Sequence, residues 1–325
     1  MGIGIKNRSL DLKSTAIRTA AAIAILAFAA GAAAAQTYGF ATLPPGSLNH
    51  TTATSIAKVL KEKGGMNVLV QPTGGDTAII PMVGRAEAEI GISNIMETTD
   101  GFEGNFKDLR LIAAVHALRT PFFVRKDSAI HSTADMKGKR IAWGYSAMRN
   151  LDKVTRAMIA TAGLGEADVK PVPVPNVVRG ADDFIAGAND VFFFAFGAPK
   201  LREVDTTVGG IRAIPTDEAG MPAAKKIMPW GYLTQVAPGP VFTGVDKPIK
   251  VYSFDNTIFT NTKVPDETIY KILDTLFKNK DDLIAVQPVL REFTPAFAYK
   301  NYGVPYHPGA LKYFKDHNIA AAALP

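Results

Sequence analysis

The sequence predicts an α/β chain folded as two lobes with a cleft between them, and three observations carry that expectation. Residues 71–94 (QPTGGDTAIIPMVGRAEAEIGISN) read as strand end, glycine turn, helix and strand, the order of a right-handed βαβ unit in a parallel sheet. The pattern then begins again: Asp135-Met-Lys-Gly-Lys-Arg140 leads into the apolar run Ile141-Ala-Trp143, a glycine at 144, a polar loop and a helix-patterned segment to Ala162. Finally, Val191 to Phe196 (VFFFAF) is apolar without alternation, as a strand covered on both faces must be.

In chain order, the first element of the fold is a strand over Thr37–Thr42. A Pro-Pro-Gly loop, 43–50, leads to an amphipathic helix with Ile56, Val59 and Leu60 on one face, stopped by Gly64-Gly65. Met66 to Val70 is the second strand. Thr73-Gly74-Gly75-Asp76 then opens a helix carrying Ile79, Ile80, Met82 and Val83, and Ala88 to Ile92 is the third strand. The glycines let the backbone bend sharply, and the unpaired N–H groups of the helix start can hold an anion. From Asn94 to Phe106 the pattern is irregular. Leu109–Val115 and Phe122–Val124 are strands separated by Arg119-Thr-Pro, and the second lobe follows with Val169–Val174, a helix containing Asp182–Ala186, and the VFFFAF strand. Past Phe196 prolines and glycines break the chain into short pieces, among them a strand over Ile211–Ile214. Val251–Phe259 is again a strand. Asp266–Lys278 is a helix with Ile269, Ile272, Leu273, Leu276 and Phe277 on one side; a short helix over Leu283–Val286 and a terminal one from His307 complete the chain.

The ends and the composition narrow the function. Residues 1–35 combine a basic start (Lys6, Arg8, Lys13, Arg18), an alanine-rich apolar stretch and Ala33-Ala34-Ala35 before Gln36, the pattern of a secretory signal peptide cleaved after about Ala35. The apolar stretch Ala20–Ala35 is 16 residues, short of the ~20 that span a bilayer. Removing 35 of the 325 residues leaves 290; the removed segment holds four basic residues and one acid, so the formal charge falls from +6 to +3. No basic stripe is interleaved with aromatics, so nucleic acid is not expected as a partner. The chain has no cysteine, which excludes thiol catalysis and thiolate metal sites, and its five histidines form no HExxH or short pair. No cofactor and no metal are expected. Neither is enzymatic activity: Gly144-Tyr-Ser146-Ala-Met148 is the nearest approach to a GxSxG elbow and lacks its last glycine.

Two α/β lobes, an export signal, no cysteine and glycine-marked strand-to-helix turns point to a periplasmic binding protein. With the motifs placed, the chain resembles the solute receptors of TRAP transporters, specifically the TAXI family. The resemblance rests on 71–94, on RKDSAIHSTADMKGKRIAWG (125–144), on VPDETIYKILDTLFKN (264–279) and on HPGALKYF (307–314). It implies a type II-like two-lobe fold with the ligand in the cleft, delivery to TRAP-type integral-membrane permease subunits, periplasmic location and a monomer. Three loops depart from the family pattern: 43–50 lacks its Gly-rich aromatic character, TGGD replaces TGGS, and 144–150 replaces a glycine-rich loop. On this reading lobe one comprises 36–125 with a return over 250–325, lobe two comprises 126–249, and the chain crosses near Val124–Asp127 and Lys250–Ser253.

Ligands of open parallel sheets sit beyond the carboxyl ends of the strands, which nominates loops 43–50, 72–76, 93–97, 116–120, 144–150 and 175–179 and the end of VFFFAF. Thr73, Gly74 and Gly75 can donate to a carboxylate. Asp76 either caps its helix or faces the ligand, where it would repel a carboxylate and favour an amino, hydroxyl or metal-bridged group. Arg149 opens a helix whose dipole disfavours it, the place for a guanidinium clamp from the second lobe; Arg119 and Arg179 are weaker candidates. Asn94, Tyr145, Ser146, His50 and Phe196 complete the candidate set, with Trp230 as a further aromatic and His307 read as a helix cap. The expected function is capture of a small organic anion, a carboxylate, for a TRAP permease. The alternatives are a two-lobe enzyme resembling thiamine-precursor synthases and a sensing partner of a receptor kinase.

Overall fold

The structure, a computed structural model, describes Met1, Gly2 and residues 36–324. The signal-peptide reading of 1–35 therefore lies outside the described residues for all but its first two. By its internal contacts Tyr38–Pro325 forms one unit.

Alternating apolar residues and the glycine turns produce the opening strands and helices. These are β1 (Thr37–Thr42), α1 (Leu48–Gly64), β2 (Asn67–Pro72), α2 (Asp76–Gly84) and β3 (Ile90–Asn94). The Ser47 hydroxyl caps α1 by accepting from the His50 N–H at 3.2 Å, and Gly65 ends it at φ 62°. Next comes α3 (Ile95–Glu103), a helix in the stretch that the sequence leaves irregular. Its two threonines and Gly101 are poor helix formers, but Asn94 caps it by accepting from Glu97 N at 3.1 Å. Gly101 is required by packing, because a Cβ there would lie 2.5 Å from Ile80 of α2.

The chain continues through β4 (Leu109–Arg119) and β5 (Phe122–Arg125), then β6 (Arg140–Trp143), α4 (Leu151–Ala160), β7 (Lys170–Pro173), α5 (Val177–Ile185) and β8 (Phe192–Phe193). α6 (Pro199–Thr207), β9 (Ile211–Ile214), α7 (Met221–Ile227), β10 (Tyr232–Val236) and β11 (Ile249–Asn261) follow. The C-terminal helices are α8 (Asp266–Lys278), α9 (Lys280–Val286), α10 (Pro295–Ala298) and α11 (Pro308–Asp316). α8 carries Asp266 and Glu267 in its first turn and Lys278 in its last, which complements the helix dipole, and buries Ile269, Ile272, Leu273 and Leu276 against α1 and α11. His307 caps α11, its Nδ1 accepting from Gly309 N at 3.2 Å.

Two sheets of the same plan result. The first is six-stranded, in the order β2-β1-β3-β11, with β10 and β4 both antiparallel to β11, β10 along its residues 249–253 and β4 along 253–261; β1 and β3 are parallel, and β11 runs antiparallel to β3. In the second, β7 pairs with β6 in parallel, a bridge from Ile141 to Val191 joins β6 to the strand ending in β8, and β5 runs antiparallel to β8 and β9. Read across, the second order is β7-β6-β8-β5-β9. Each lobe thus places its first parallel strand between its second and third and inserts a strand at a crossing, β11 in the first lobe and β5 in the second, before its fourth.

The crossings follow from the pairing. β5 already belongs to the second sheet, so the first crossing is at Arg119–Phe122, ahead of the expected Val124–Asp127. A strand of four residues with Phe122 and Phe123 buried cannot act as a linker. β11 makes the return: Lys250 O accepts from Thr216 N at 2.9 Å on the second-lobe side, while Ser253 is in register with Arg119 of β4. Thr120 N donates to Tyr252 O at 2.9 Å, so the two crossing segments are tied to each other. VFFFAF is a strand only at Phe192–Phe193; beyond it the run turns away, and Phe196 packs edge-on against Phe123 and Phe242.

Candidate functional site

Between the lobes lies a cavity of about 50 Å³. Leu43, Ser47, Leu48 and Asn49 enter from the start of α1, Asp76 from α2, Asn94 from the end of β3, Leu118 and Thr120 from the first crossing, and Phe254 from β11. The second lobe supplies Met148, Leu151, Val177 and the run Phe193, Phe194 and Ala195. The strand ends bring these residues together because α1, α2, α4 and α5 all start at the same edge of their sheets. Such a cavity is small beside the roughly 300–1,000 Å³ of ordinary ligand pockets.

The lobes touch around it. The Thr77 N–H and hydroxyl both donate to Ala147 O, at 3.2 and 3.0 Å. Asn176 Nδ2 donates to Gly74 O at 3.1 Å, and Asn150 Nδ2 donates to Glu97 Oε2 at 3.0 Å. Lys153 pairs with Asp100 at 2.8 Å. Gly75 makes the closest approach: a Cβ at that position would sit 2.0 Å from Ala147 O.

These contacts revise the anion site expected at the glycine turn. The Thr73 N–H donates to Thr42 O at 2.8 Å, and Gly75 N donates to the Thr73 hydroxyl at 3.2 Å. In the first turn of α2, both donors of Thr77 hold a carbonyl of the opposite lobe. Thr73, Gly74 and Gly75 therefore form a seam between the lobes and do not line the cavity.

Asp76 does line it. Gly75, with extended backbone, is the N-cap residue, so Asp76 is inside the helix and its side chain points into the protein, 1% exposed. Oδ1 accepts from the Ser93 hydroxyl at 2.6 Å and Oδ2 has no partner. Burial raises its pKa to about 6. Glu97, at the first turn of α3, is 8% exposed with Oε1 unpartnered. Burial, and then the charge of Asp76, raise it to about 8. Asn94 both lines the cavity and caps α3, and Asn49 accepts from Asn256 Nδ2 at 3.1 Å.

The other candidates are placed elsewhere. Arg149 is exposed at the surface and does not line the cavity, because the neighbouring Met148 takes the inward position of that turn. Tyr145 is buried within the second lobe, its hydroxyl donating to Ala142 O at 2.9 Å and its ring edge-on to Phe193. Ser146 is exposed, Phe196 belongs to the aromatic core, and His50 is half-buried on α1 with its pKa lowered by desolvation. Arg119 pairs with Glu292, Arg179 with Asp183, and Trp230 packs on Tyr302. Among the described residues no lysine or arginine lines the cavity, so the expected anion meets no cation there. Of the lining residues the sequence named only Asp76 and Asn94; the others, among them Asn49, Leu118, Thr120, Phe193, Phe194 and Phe254, lie mostly in or beside the nominated loops. Nothing in local pattern singles out which residue of a loop faces inward.

A second buried ionic cluster sits behind the crossings. Asp255, 2% exposed, accepts from Lys300 Nζ at 2.7 Å, Tyr232 at 2.6 Å and Tyr302 at 2.5 Å. Its partners leave no carboxylate oxygen unsatisfied, which marks it as a structural tie between β10, β11 and the C-terminal segment.

The family model described as NMT1-like matches residues 40–317. Similar solved structures include the alkanesulfonate-binding protein SsuA from Xanthomonas axonopodis pv. citri bound to MOPS, at 13% identity and TM-score 0.51, over 90% of this chain and 96% of that one. The substrate binding protein of an amino acid ABC transporter matches at 14% identity and TM-score 0.50, over 77% and 97%. A binding protein component of an ABC phosphonate transporter from Pseudomonas aeruginosa matches at 12% identity and TM-score 0.54, over 79% and 80%. At such identities the likeness is one of fold: the two-lobe periplasmic binding protein architecture.

Proposed function

The chain belongs to the NMT1-like family, and from that premise we propose that it is an exported solute receptor, which captures a small organic solute between its lobes and hands it to an integral-membrane transporter. The observation that carries the reading is the cavity between the lobes, closed by reciprocal hydrogen bonds and holding the buried, half-satisfied carboxyl of Asp76. A group kept desolvated and unpaired at a cleft between moving bodies is a ligand contact awaiting its partner. Closure has a thermodynamic reason only if solute binds the closed form better than the open one, and lining from both lobes supplies that difference. Because the cavity is small, the lobes part to admit the solute and shut on it.

The four motifs at 71–94, 125–144, 264–279 and 307–314 support a TRAP-type permease as the recipient. The carboxylate expected from the glycine turn gives way to a solute that offers donors to Asp76. Two measurements test the receptor reading. Native mass spectrometry of protein purified from the periplasm should release an intact small molecule, and small-angle scattering should show compaction when that molecule is returned to the stripped protein. Chemical conversion of the bound molecule, or its return without any change in scattering, would overturn the reading.

A further inference from the structure

The cavity constrains the chemistry of the solute further. Asp76 Oδ2 is a buried acceptor lining it with no partner in the protein. Its other oxygen is held by Ser93, so the carboxyl is fixed in place and has one lone-pair face to offer. Glu97 behind it adds a second buried carboxyl with an unpartnered oxygen, and the charge of Asp76 acts on it. No basic side chain lines the cavity among the described residues. Away from Asp76 the walls are apolar, with Leu118, Phe193 and Phe254 prominent among them.

A neutral hydroxyl would satisfy the hydrogen bond of Asp76 and leave its buried carboxylate without a counter-charge. A positively charged N–H donor answers both. Charge-assisted N–H···O bonds are about twice as strong as neutral ones. We propose that the solute carries a protonated amine or guanidinium-like group that docks on Asp76, with a compact apolar body against Leu118, Phe193 and Phe254. This rests on the receptor reading and narrows it to a solute class.

Four probes sharing one chain length separate the possibilities: n-butylammonium, n-butyltrimethylammonium, n-butanol and butyrate, titrated calorimetrically into the full, solute-stripped chain. n-Butylammonium should bind at least tenfold tighter than each of the other three, the quaternary cation failing because it has no N–H. Asp76→Asn, checked for folding by thermal melting, should reduce that preference at least tenfold. The order of the probes on the unmodified protein decides the matter even if the variant does not fold. Butyrate or butanol binding as tightly as n-butylammonium, n-butylammonium showing no binding at millimolar concentration, or Asp76→Asn leaving the preference intact would each overturn the cation assignment. An intact solute of another class, released and rebound with compaction, would leave the receptor reading standing while this one falls.

Discussion

Replacing Glu97 by Gln isolates what the buried acid costs the fold. Its carboxyl is raised from 4.5 to about 8, chiefly because burial disfavours the charged form. Between those values the folded state binds a proton that the unfolded state has released, so stability falls as pH rises through this window and levels off above it. At 1.36 kcal/mol per unit, ionisable Glu97 costs about 3 kcal/mol by pH 7 and about 5 kcal/mol on the plateau. Asp76 acts with the same sign between 3.8 and about 6. Glutamine resembles the protonated acid: its carbonyl can still accept from Asn150 Nδ2, and it never ionises. The parent and Glu97→Gln should therefore melt together near pH 5 and separate above it, the variant being more stable by about 3 kcal/mol near pH 7. That corresponds to roughly 5 °C in Tm, at about 2.1 cal/mol/K of unfolding entropy per residue over about 290 residues. Thermal unfolding across the window measures it directly. A difference that does not change with pH, or a variant less stable than the parent near pH 8, would refute the assignment of this desolvation to Glu97.

Three further outcomes are expected. Gly75→Ala puts a Cβ 2.0 Å from Ala147 O, an overpacking worth about 1–3 kcal/mol against the closed form; scattering should show a more open molecule and solute should be held on the order of tenfold more weakly, whereas unchanged compaction would contradict the seam. Lys300→Met leaves Asp255 buried with two tyrosine hydroxyls and no counter-charge, so urea unfolding should register a loss of about 3–5 kcal/mol; a loss below about 1 kcal/mol would remove the structural role given to this pair. Arg149→Ala, on the exposed side of its turn, should change stability and solute affinity by less than about 0.5 kcal/mol, and a larger loss of affinity would restore the arginine to the site.

Local pattern determined a good deal about this protein. The strands Thr37–Thr42 and Ile211–Ile214 and the helix Asp266–Lys278 were legible residue for residue, because periods of 2 and 3.6 are imposed by covalent geometry. The rule that ligands gather at strand ends drew attention to the loops that the cavity draws upon. What tertiary structure alone decided was the direction of individual side chains and the partners they meet. Asp76 stands where a cap is expected, yet the extended backbone of Gly75 starts the helix one residue earlier, and Ser93, seventeen residues on and in the next strand, takes hold of the carboxyl. Helix α3 forms against local propensity, capped by Asn94 and with Ile95, Met96, Thr98 and Thr99 buried, and Gly101 leaves room for Ile80. The anion cradle of the glycine turn disappears because Ala147, from the other lobe, fills it. Arg149 and Met148 are equivalent as a sequence and opposite in space, one in solvent and one in the cavity. Burial and electrostatic environment depend on atoms that come near only when the lobes have formed and met. The spacing of residues along one chain therefore predicts the elements and leaves the chemistry of the cleft to their assembly.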